Sequence, residues 1–567
     1  MKRILALTLA ALMLVGSAAL AEFVPPETPE YKHYGDVQIT MLNVWNGSGT
    51  GIDKVDWYNN DVAKAIREKI GVTIIREGIM MNETEKLNMV FASGDMPDAM
   101  DAAFWQSPSG ENTVIKKAAS EGMLLPIDDY FEQFPNLLDA YKVGVIAQKF
   151  KEVDVEDPIF GGKHYILPME TPGSPDNITH WTYGLGVRGD IPELIGIDAE
   201  SVHTPDDLYN FLKAIKDKGV KDINGNDVIP LSTMHNGWAL DMSYIGFSNP
   251  YLTDASLRFV QTDAGDVDLY MLSQDYLDAV LFVRKLVSED LLDKECFTTA
   301  DELVDTKNAN GTIAVGSSMF AGWVDSQKKS TILQTNPEMK FIPLGPLYYK
   351  DGTPNAQTEL NGRNGSHVWI FPTTNKNLEA TLAWISYVNT YEGLLLRRYG
   401  FEGVTFEYNE LGQPRRLQSI IDNQKNLETK EATDQWMRER GVDQYGIRFA
   451  DLSMEWFGEP NPGTTGGEDE IITYFKENGF RDKRLVDGYP VDGLMATYPR
   501  REEITNLFAG DREKMTRERA YFAATDEEAI AIIEEYRNYL LTGENGALPE
   551  MLKYMTEQLP TRDNWIF

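Results

Sequence analysis

Segments with the period of a helix alternate along the chain with short apolar runs that are typical of buried strands. The strand-like runs lie at 37–45, 72–79 and 98–104. Between the first two runs, Val62, Ile66 and Ile70 lie on one face of a predicted helix, which ends before Gly71. This β-α-β order predicts a parallel sheet, because parallel neighbours require helical crossovers.

Three later helices have recognisable starts. Thr204 precedes Pro205 and two acidic residues, and Thr525 begins a capping-box pattern. Asn375 is predicted to cap a third helix, which carries an apolar stripe. Between these helices, the Asn224-Gly225 step predicts a hairpin turn.

The first 21 residues have the pattern of a secretory signal peptide. Lys2 and Arg3 precede an apolar run, and small residues at 19 and 21 predict cleavage before Glu22. A transmembrane anchor is the alternative, but the run is at the short limit for a span of about 20 residues. Ser17 lies where a lipoprotein signal has its lipidated cysteine. We therefore expect a periplasmic, secreted or cell-surface-associated protein without stable membrane insertion.

Length and charge restrict the possible functions. A chain of 567 residues is too long for one ordinary core, so two or more lobes are expected. It carries 53 Lys and Arg against 88 Asp and Glu, a formal net charge of −35. Such a surface repels phosphate backbones, which argues against a nucleic-acid partner. The single cysteine, Cys296, excludes an internal disulfide and a multi-thiolate zinc site.

The sequence lacks the common catalytic signatures. It contains no nucleophile elbow, zinc-protease motif, Walker A loop or dinucleotide fingerprint, and its histidines lack metal-ligand spacing. We therefore predict no catalytic residue and no enzymatic activity. Two alternatives remain open at this point. A carboxylate pair of a secreted glycoside hydrolase or lyase fits the many acidic residues, and the acidity also fits a receptor for a cationic peptide or polyamine.

Six motifs, in a consistent order, resemble those of extracytoplasmic solute-binding proteins of ABC importers, in the carbohydrate-binding family that includes LipO-like and alginate-binding proteins. The motifs lie at 91–98, 124–130, 162–168, 183–190, 204–208 and 399–404. The most specific is Gly400-Phe401-Glu402-Gly403. The resemblance covers most of the chain up to about Phe406 and becomes weak beyond it.

This resemblance implies an α/β, two-lobed periplasmic-binding-protein fold, in which each lobe is a mostly parallel sheet flanked by helices. Hinge crossings are implied near 171–187, 314–323 and 391–406. The implied division is a signal peptide at 1–21, lobe 1 at 22–172 and 320–400, and lobe 2 at 173–319 and 401–567. The implied function is that of a monomeric receptor, which captures a carbohydrate by hinge closure and delivers it to permease subunits.

Binding a sugar requires aromatic platforms for its C–H faces and fixed polar groups for its hydroxyls. Loop or hinge positions make five tryptophans the predicted platforms: Trp45, Trp105, Trp181, Trp238 and Trp323. Core packing is the alternative for any one of them. The other predicted ligand-binding residues are Asn46, Asp95, Asp101, Tyr183, Arg363 and Glu402.

No cofactor is predicted, but one loop requires a separate comparison. Some members of the resembling family carry an Asp- and Asn-rich calcium loop after the helix that matches 208–215. Here the corresponding oxygen donors are Asp222, Asn224, Asn226 and Asp227. The loop is shorter than a full calcium loop of about 12 positions and lacks its final acid. We therefore predict a plain hairpin turn, with a calcium ion as the alternative.

Overall fold

The structure is a computed structural model of the 567-residue chain. It describes residues 24–44, 59–78, 83–103, 111–141, 157–169, 171–172, 180–233, 237, 240, 246–248, 259–262, 264–299, 301–319, 335–352, 358–360, 367–442, 450–451, 456–458, 474, 494, 498–508 and 512–558. The helices within these ranges include none that is long and apolar enough to cross a membrane. The predicted signal peptide lies outside the described residues.

The strands are short and belong mainly to two sheets. They are β1 Val37–Asn43, β2 Val72–Gly78, β3 Ala99–Ala103, β4 Ile166–Met169, β5 Thr171–Pro172, β6 His180–Arg188, β7 Ile229–Thr233, β8 Phe259–Gln261, β9 Val267–Leu269, β10 Ile313–Met319, β11 Phe341–Leu344, β12 Thr358–Leu360, β13 His367–Ile370, β14 Phe406–Tyr408, β15 Pro414–Arg416 and β16 Ala450–Asp451.

The α-helices flank these sheets and dominate the C-terminal part of the chain. They are α1 Asp61–Ile70, α2 Glu83–Ser93, α3 Glu111–Ser120, α4 Ile191–Ile195, α5 Pro205–Lys218, α6 Gln274–Ser288, α7 Asp301–Ala309, α8 Leu378–Val388, α9 Tyr391–Tyr399, α10 Gln418–Lys425, α11 Leu427–Arg440, α12 Arg501–Phe508, α13 Arg512–Tyr521, α14 Asp526–Thr542 and α15 Ala547–Gln558.

Local sequence signals explain most helix ends. Thr204 caps α5 as predicted, since its side chain accepts a hydrogen bond from the backbone of Asp207, and the Asp207 carboxylate completes a capping box that the sequence analysis did not predict. The side chain of Thr525 caps α14 by accepting from the Glu528 backbone, but the Glu528 carboxylate accepts from the Ala524 N–H, so the predicted capping box is only half formed. Gly71 ends α1 with a φ of 68°, a conformation that glycine adopts without strain. The prediction for Asn375 is wrong, because α8 begins after Asn377. The buried amide of Asn375 instead donates to the Asp98 carbonyl oxygen.

The first sheet has the strand order β2-β1-β3-β13-β4. β1 lies between β2 and β3 and runs parallel to both, as the β-α-β pattern predicts. β13 is antiparallel to β3 and to β4. The second sheet has the order β11-β6-β10-β7, and only the β10–β7 pair is parallel.

The sheets are therefore mixed, whereas the sequence predicts mostly parallel ones. The difference has a topological cause, because only strands joined by helical crossovers are bound to run parallel. β6 is a long strand whose second half pairs with β10 and β11, while its first half pairs with β12. β6 is antiparallel to all three of these partners.

Two large hydrophobic clusters form the core. The first surrounds the first sheet and includes Ile39 and Ile66. It also includes Trp384 of α8, which is 5% exposed. The second surrounds the second sheet and includes Phe211, and the C-terminal helix α14 contributes Ile533 to it. Each sheet thus has its own core, which gives the α/β fold two hydrophobic centres.

The clusters bear on the predicted lobe boundaries. β11 pairs in the second sheet and Leu344 packs in the second cluster, although the sequence analysis assigns 320–400 to lobe 1. Ile420 and Met437 of α10 and α11 pack in the first cluster, although 401–567 is assigned to lobe 2. The chain therefore changes sides more often than the motifs indicate. The division of the complete chain into lobes stays a prediction.

A buried ion pair lies at one side of the first cluster. Lys116 Nζ of α3 lies 3.0 Å from Asp157 Oδ2, and the two side chains are 7% and 6% exposed. The other oxygen of Asp157 accepts a hydrogen bond from the Ile159 backbone and caps a short 3-10 helix. Removing one partner of a buried pair leaves an uncompensated charge, which is far costlier than losing an exposed pair.

We predict that Asp157→Asn destabilises the protein by about 3–5 kcal/mol, because asparagine keeps the cap but removes the carboxylate that pairs with the buried Lys116 ammonium and lies 3.9 Å from Arg501 Nη1. The control is Asp217→Asn in the exposed Lys213–Asp217 pair of α5, with an expected loss of less than about 0.5 kcal/mol. Urea unfolding followed by tryptophan fluorescence measures both. Equal losses in the two variants would contradict the prediction.

Candidate ligand-binding site

The carboxyl ends of parallel strands mark the candidate site. In α/β sheets, ligands bind beyond these ends. Four strands lead into segments with a predicted platform: β1 precedes Trp45, β3 precedes Trp105, β7 precedes Trp238 and β10 precedes Trp323. These tryptophans, with Asn46 and Arg363, lie outside the described residues. Their role in binding therefore stays a prediction, and its support is the position of the strands that precede them.

The strand β6 carries two further predicted ligand-binding residues. Trp181 lies in its first half, paired with Glu359 of β12. Tyr183 pairs with Met319, the last residue of β10. The backbone of β6 thus runs past the carboxyl end of β10, the end that leads to Trp323. Trp181 and Tyr183 are placed at the edge where the second sheet is expected to meet its ligand.

Asp101 has a charged neighbour that sequence reasoning missed. It lies on β3, and its Oδ2 accepts a hydrogen bond of 3.2 Å from Arg76 Nη2 on β2. The two side chains are 6% and 4% exposed. Asp101 is therefore buried in an ion pair, and its contact with a ligand stays a prediction. A lone arginine in a strand gives no sequence signal, because its partner is determined by the pairing of strands.

Asp95 and Glu402 are both exposed to solvent. Asp95 follows α2, and its backbone N–H donates to the Ser93 hydroxyl in a turn. Glu402 lies in the Gly-Phe-Glu-Gly step, where its backbone forms a bridge to Phe406. Burial raises the pKa of the nearby Tyr408 above its usual value, and the negative charge of Glu402 adds to this effect. The structure thus leaves both carboxylates accessible without placing them beside Asp101.

Two cavities lined by described residues lie elsewhere. An open groove of about 450 Å³ is lined by α5, α6 and the start of α14, with Phe282 and Lys285 among its residues. A second cavity, of about 230 Å³, lies between the N-terminal arm and the end of α8 and is lined by Tyr31 and Trp456. Neither includes a predicted ligand-binding residue. These two cavities therefore do not coincide with the candidate site, which is defined by the ends of the parallel strands.

The oxygen-rich loop at 222–227 forms the predicted hairpin turn. Lys221 and Asp227 form an antiparallel bridge, and their side chains make an ion pair of 2.5 Å. Asp222 Oδ1 accepts hydrogen bonds from the backbones of Asn224 and Asn226, at 2.8 and 2.9 Å. Its Oδ2 accepts from the Thr312 hydroxyl at 3.0 Å.

These hydrogen bonds bear on metal binding. Burial alone would raise the pKa of Asp222, but the hydrogen bonds from Asn226, Thr312 and Asn224 lower it below its usual value. The carboxylate is thus ionised and already engaged by protein donors, while Asp227 is engaged by Lys221. Among the described residues, no group of three or more His, Cys, Asp or Glu side chains is placed to hold a metal ion.

Comparisons with known proteins bear directly on the family. No family model matches the chain. It is 25% identical over 334 residues to the fructooligosaccharide ABC transporter substrate-binding protein FusA of Streptococcus pneumoniae serotype 4, covering 57% of this chain and 56% of FusA. It is 21% identical over 358 residues to the polygalacturonan/rhamnogalacturonan-binding protein YtcQ of Bacillus subtilis, covering 62% and 63%.

Solved structures extend the similarity over nearly the whole fold. The alginate-binding protein AlgQ2, solved without calcium ion, matches with a TM-score of 0.67 at 17% identity, covering 94% of this chain and 100% of that one. An EF-hand mutant of pneumococcal FusA in complex with fructo-nystose matches with a TM-score of 0.60 at 18% identity, covering 93% and 100%.

The predicted resemblance is confirmed. The matched proteins are substrate-binding or carbohydrate-binding proteins by name, and the solved ones share the fold of this chain. The α/β, two-lobed fold is therefore that of solute-binding proteins. The chain spans between 56% and 63% of the length of these two sequence relatives, so their activities and ligands are not assigned to it by similarity alone.

Proposed function

We propose that the protein is the extracytoplasmic substrate-binding component of an ABC transporter and that it binds an oligosaccharide between its two lobes. The observation that carries this proposal is the placement of parallel strand ends. Strands of both sheets lead at their carboxyl ends into segments with tryptophan, and aromatic faces are the usual platforms for sugar rings. The sugar-binding relatives named above support the same ligand class.

The proposed cycle requires no chemistry. An open form admits the oligosaccharide, contacts from both lobes favour a closed form, and the closed form delivers the ligand to membrane permease subunits. Closure is a population shift, whose size is limited by the preference of the ligand for the closed state. The predicted signal peptide would place the monomeric receptor outside the cytoplasm, which agrees with a role in uptake.

A panel of purified oligosaccharides tests this proposal. The panel contains kestose, a galacturonate trisaccharide and a mannuronate trisaccharide, chosen from the ligands after which the relatives are named. We expect at least one sugar to raise the melting temperature and to be recovered intact after incubation, because binding to the native state alone stabilises it. Released shorter sugars would indicate a glycoside hydrolase or lyase instead.

The same measurement distinguishes a receptor for a cationic peptide or polyamine. The formal net charge of −35 favours that alternative. Affinity for a stacked neutral sugar should change little with ionic strength, whereas affinity for spermidine should fall steeply as salt screens the charges. Binding of spermidine with such a salt dependence, together with no response to any sugar, would overturn the carbohydrate proposal.

We predict that Trp181→Ala and Trp323→Ala each weaken binding of the best panel sugar by about 1–3 kcal/mol while the fold survives, because each removes a stacking platform. Isothermal titration calorimetry measures the affinity. Trp436→Ala is the matched control, because Trp436 lies on α11, where Arg440 covers its ring, away from the strand ends. Unchanged affinity in both test variants would contradict the assignment of platforms.

We also propose that the turn at 222–227 folds without a metal ion. We predict that the melting temperature is the same in calcium and in a chelator, because protein donors already occupy the Asp222 carboxylate. Pneumococcal FusA, whose EF-hand has been a target of mutation, serves as the parallel control. A melting temperature that calcium raises and chelator lowers would instead assign the ion to Asp222, Asn224, Asn226 and Asp227.

A further inference from the structure

The cavity of about 230 Å³ between the N-terminal arm, residues 24–36, and the end of α8 contains none of the residues predicted to bind the sugar. We call it the arm cavity. The arm is fixed on the first cluster by Tyr31, whose ring stacks on that of Phe134 with the centroids 6.2 Å apart. The Tyr34 backbone N–H also donates to the Ile70 carbonyl oxygen at 2.8 Å. The arm therefore forms a stable wall of the cavity.

Aromatic rings line the arm cavity. They belong to Tyr31, Tyr34, Phe134, Tyr391 and Trp456. The Trp456 side chain is only half-buried, and its ring centroid lies 5.9 Å from that of Tyr391. The face of an indole ring attracts a cation more strongly than the face of a phenol or phenyl ring. Such a lining suits a sugar ring or an organic cation, so the polar atoms decide between them.

Several hydrogen-bond donors along the cavity wall are already used within the protein. The Asn136 amide nitrogen donates to the Ser386 carbonyl oxygen at 2.9 Å, and the Ser386 hydroxyl donates to Asn136 Oδ1 at 2.5 Å. The Tyr31 hydroxyl therefore donates to Ser386 Oγ, at 2.7 Å. The Thr390 hydroxyl donates to the Tyr387 carbonyl oxygen at 2.7 Å. These hydrogen atoms are not available to a ligand.

Two amide side chains of the wall keep an acceptor available. Asn389 lines the cavity and is 8% exposed, and its amide nitrogen donates to the Ile385 carbonyl oxygen at 2.8 Å. Its Oδ1 has no hydrogen-bond partner among the described residues. The Gln133 amide nitrogen likewise donates to Glu379 Oε1 at 3.0 Å, which leaves its oxygen available. Because buried polar atoms are normally satisfied, the Asn389 oxygen indicates a ligand that donates hydrogen bonds.

The charges of the arm cavity favour a cation. Glu27 and Glu30 of the arm line it, are exposed and form no ion pair with any described residue. Asp139 adds a third carboxylate to the lining. Lys32 is the only cation among the described lining residues, and its Nζ is paired with Glu379 at 3.5 Å. The cavity is thus negative, which raises the local concentration of cations.

We infer that the arm cavity binds a primary alkylammonium ion. The ammonium group supplies N–H donors to Asn389 Oδ1 and to the carboxylates of Glu27 and Glu30, and the alkyl chain lies against the Trp456 ring. A neutral sugar would gain nothing from the negative charge of the cavity. This inference does not rest on the proposed function, because the cavity and the predicted sugar site share no residue.

Three small probes test the chemistry of the ligand. Butylamine is an ammonium ion at neutral pH, butanol has the same alkyl chain without the charge, and tetramethylammonium has the charge without an N–H group. Ligand-observed NMR titration at physiological ionic strength measures each Kd. We expect butylamine to bind at least about tenfold more tightly than either other probe. No binding of butylamine, or equally tight binding of butanol or tetramethylammonium, would overturn the inference.

A pair of double variants tests the location. Glu27→Gln/Glu30→Gln removes two charges from the arm cavity, and the matched control, Glu193→Gln/Glu200→Gln, removes two exposed charges from residues 191–201, which pack in the second cluster. We expect the first variant to bind butylamine at least about tenfold more weakly and the control to differ by less than about twofold, because salt screens distant charges. Equal weakening would assign the attraction to the net charge of the chain and overturn the inference.

Trp456→Leu tests the aromatic wall, since leucine keeps an apolar side chain but has no ring. We expect butylamine to bind about threefold more weakly, while Trp436→Leu, outside the arm cavity, leaves its Kd unchanged. Melting temperatures show whether both variants fold. Unchanged affinity in folded Trp456→Leu would overturn the inference. If Trp456→Leu does not fold, the Glu27→Gln/Glu30→Gln variant decides, because both of its substitutions are at exposed positions.

Discussion

The parallel pairing of β1 with β2 and β3 determines where the candidate site of the first sheet lies. The register places Asn43 opposite both Gly78 and Asp101, so the three strands end at the same edge. A slip of one residue would reverse the face of every side chain on a strand. Asp101 would then face away from Arg76, and their ion pair would be lost. The register thus determines which side chains meet at this edge of the sheet.

Burying charge at this edge has an energetic cost that the core elsewhere avoids. Nearer the amino ends of the strands, the same face carries Ile39 and Met41 of β1 and Ile74 of β2, all buried. Taking an arginine and an aspartate out of water costs several kcal/mol per ion before their attraction is counted. A sheet selected for stability alone would continue the apolar face to its end. The change to polar residues at this edge is therefore not explained by stability alone.

Local signals predicted the helices, because capping depends on residues a few positions apart. The Thr204 and Thr525 caps and the Gly71 end are of this kind. The sequence pattern did not predict the role of Asn375, because its side-chain amide donates a hydrogen bond to the carbonyl oxygen of Asp98, which is remote in sequence. The mixed direction of the sheets and the Arg76–Asp101 pair also depend on which strands become neighbours. No periodicity within one strand encodes that choice. Recognition of the family motifs predicted the general fold but not which strands become neighbours.

The charge of the described edge bears on the charge of the ligand. Two of the similar proteins are named for polygalacturonan and alginate, whose uronate groups are anionic, whereas this chain carries a formal net charge of −35. Salt screens exposed charges beyond about 8 Å at physiological ionic strength, so contact with a polyanion would depend on cations close to the site. At the described edge of the first sheet, the Arg76 charge is balanced by Asp101. The ion pair at that edge therefore does not by itself favour a uronate over a neutral sugar.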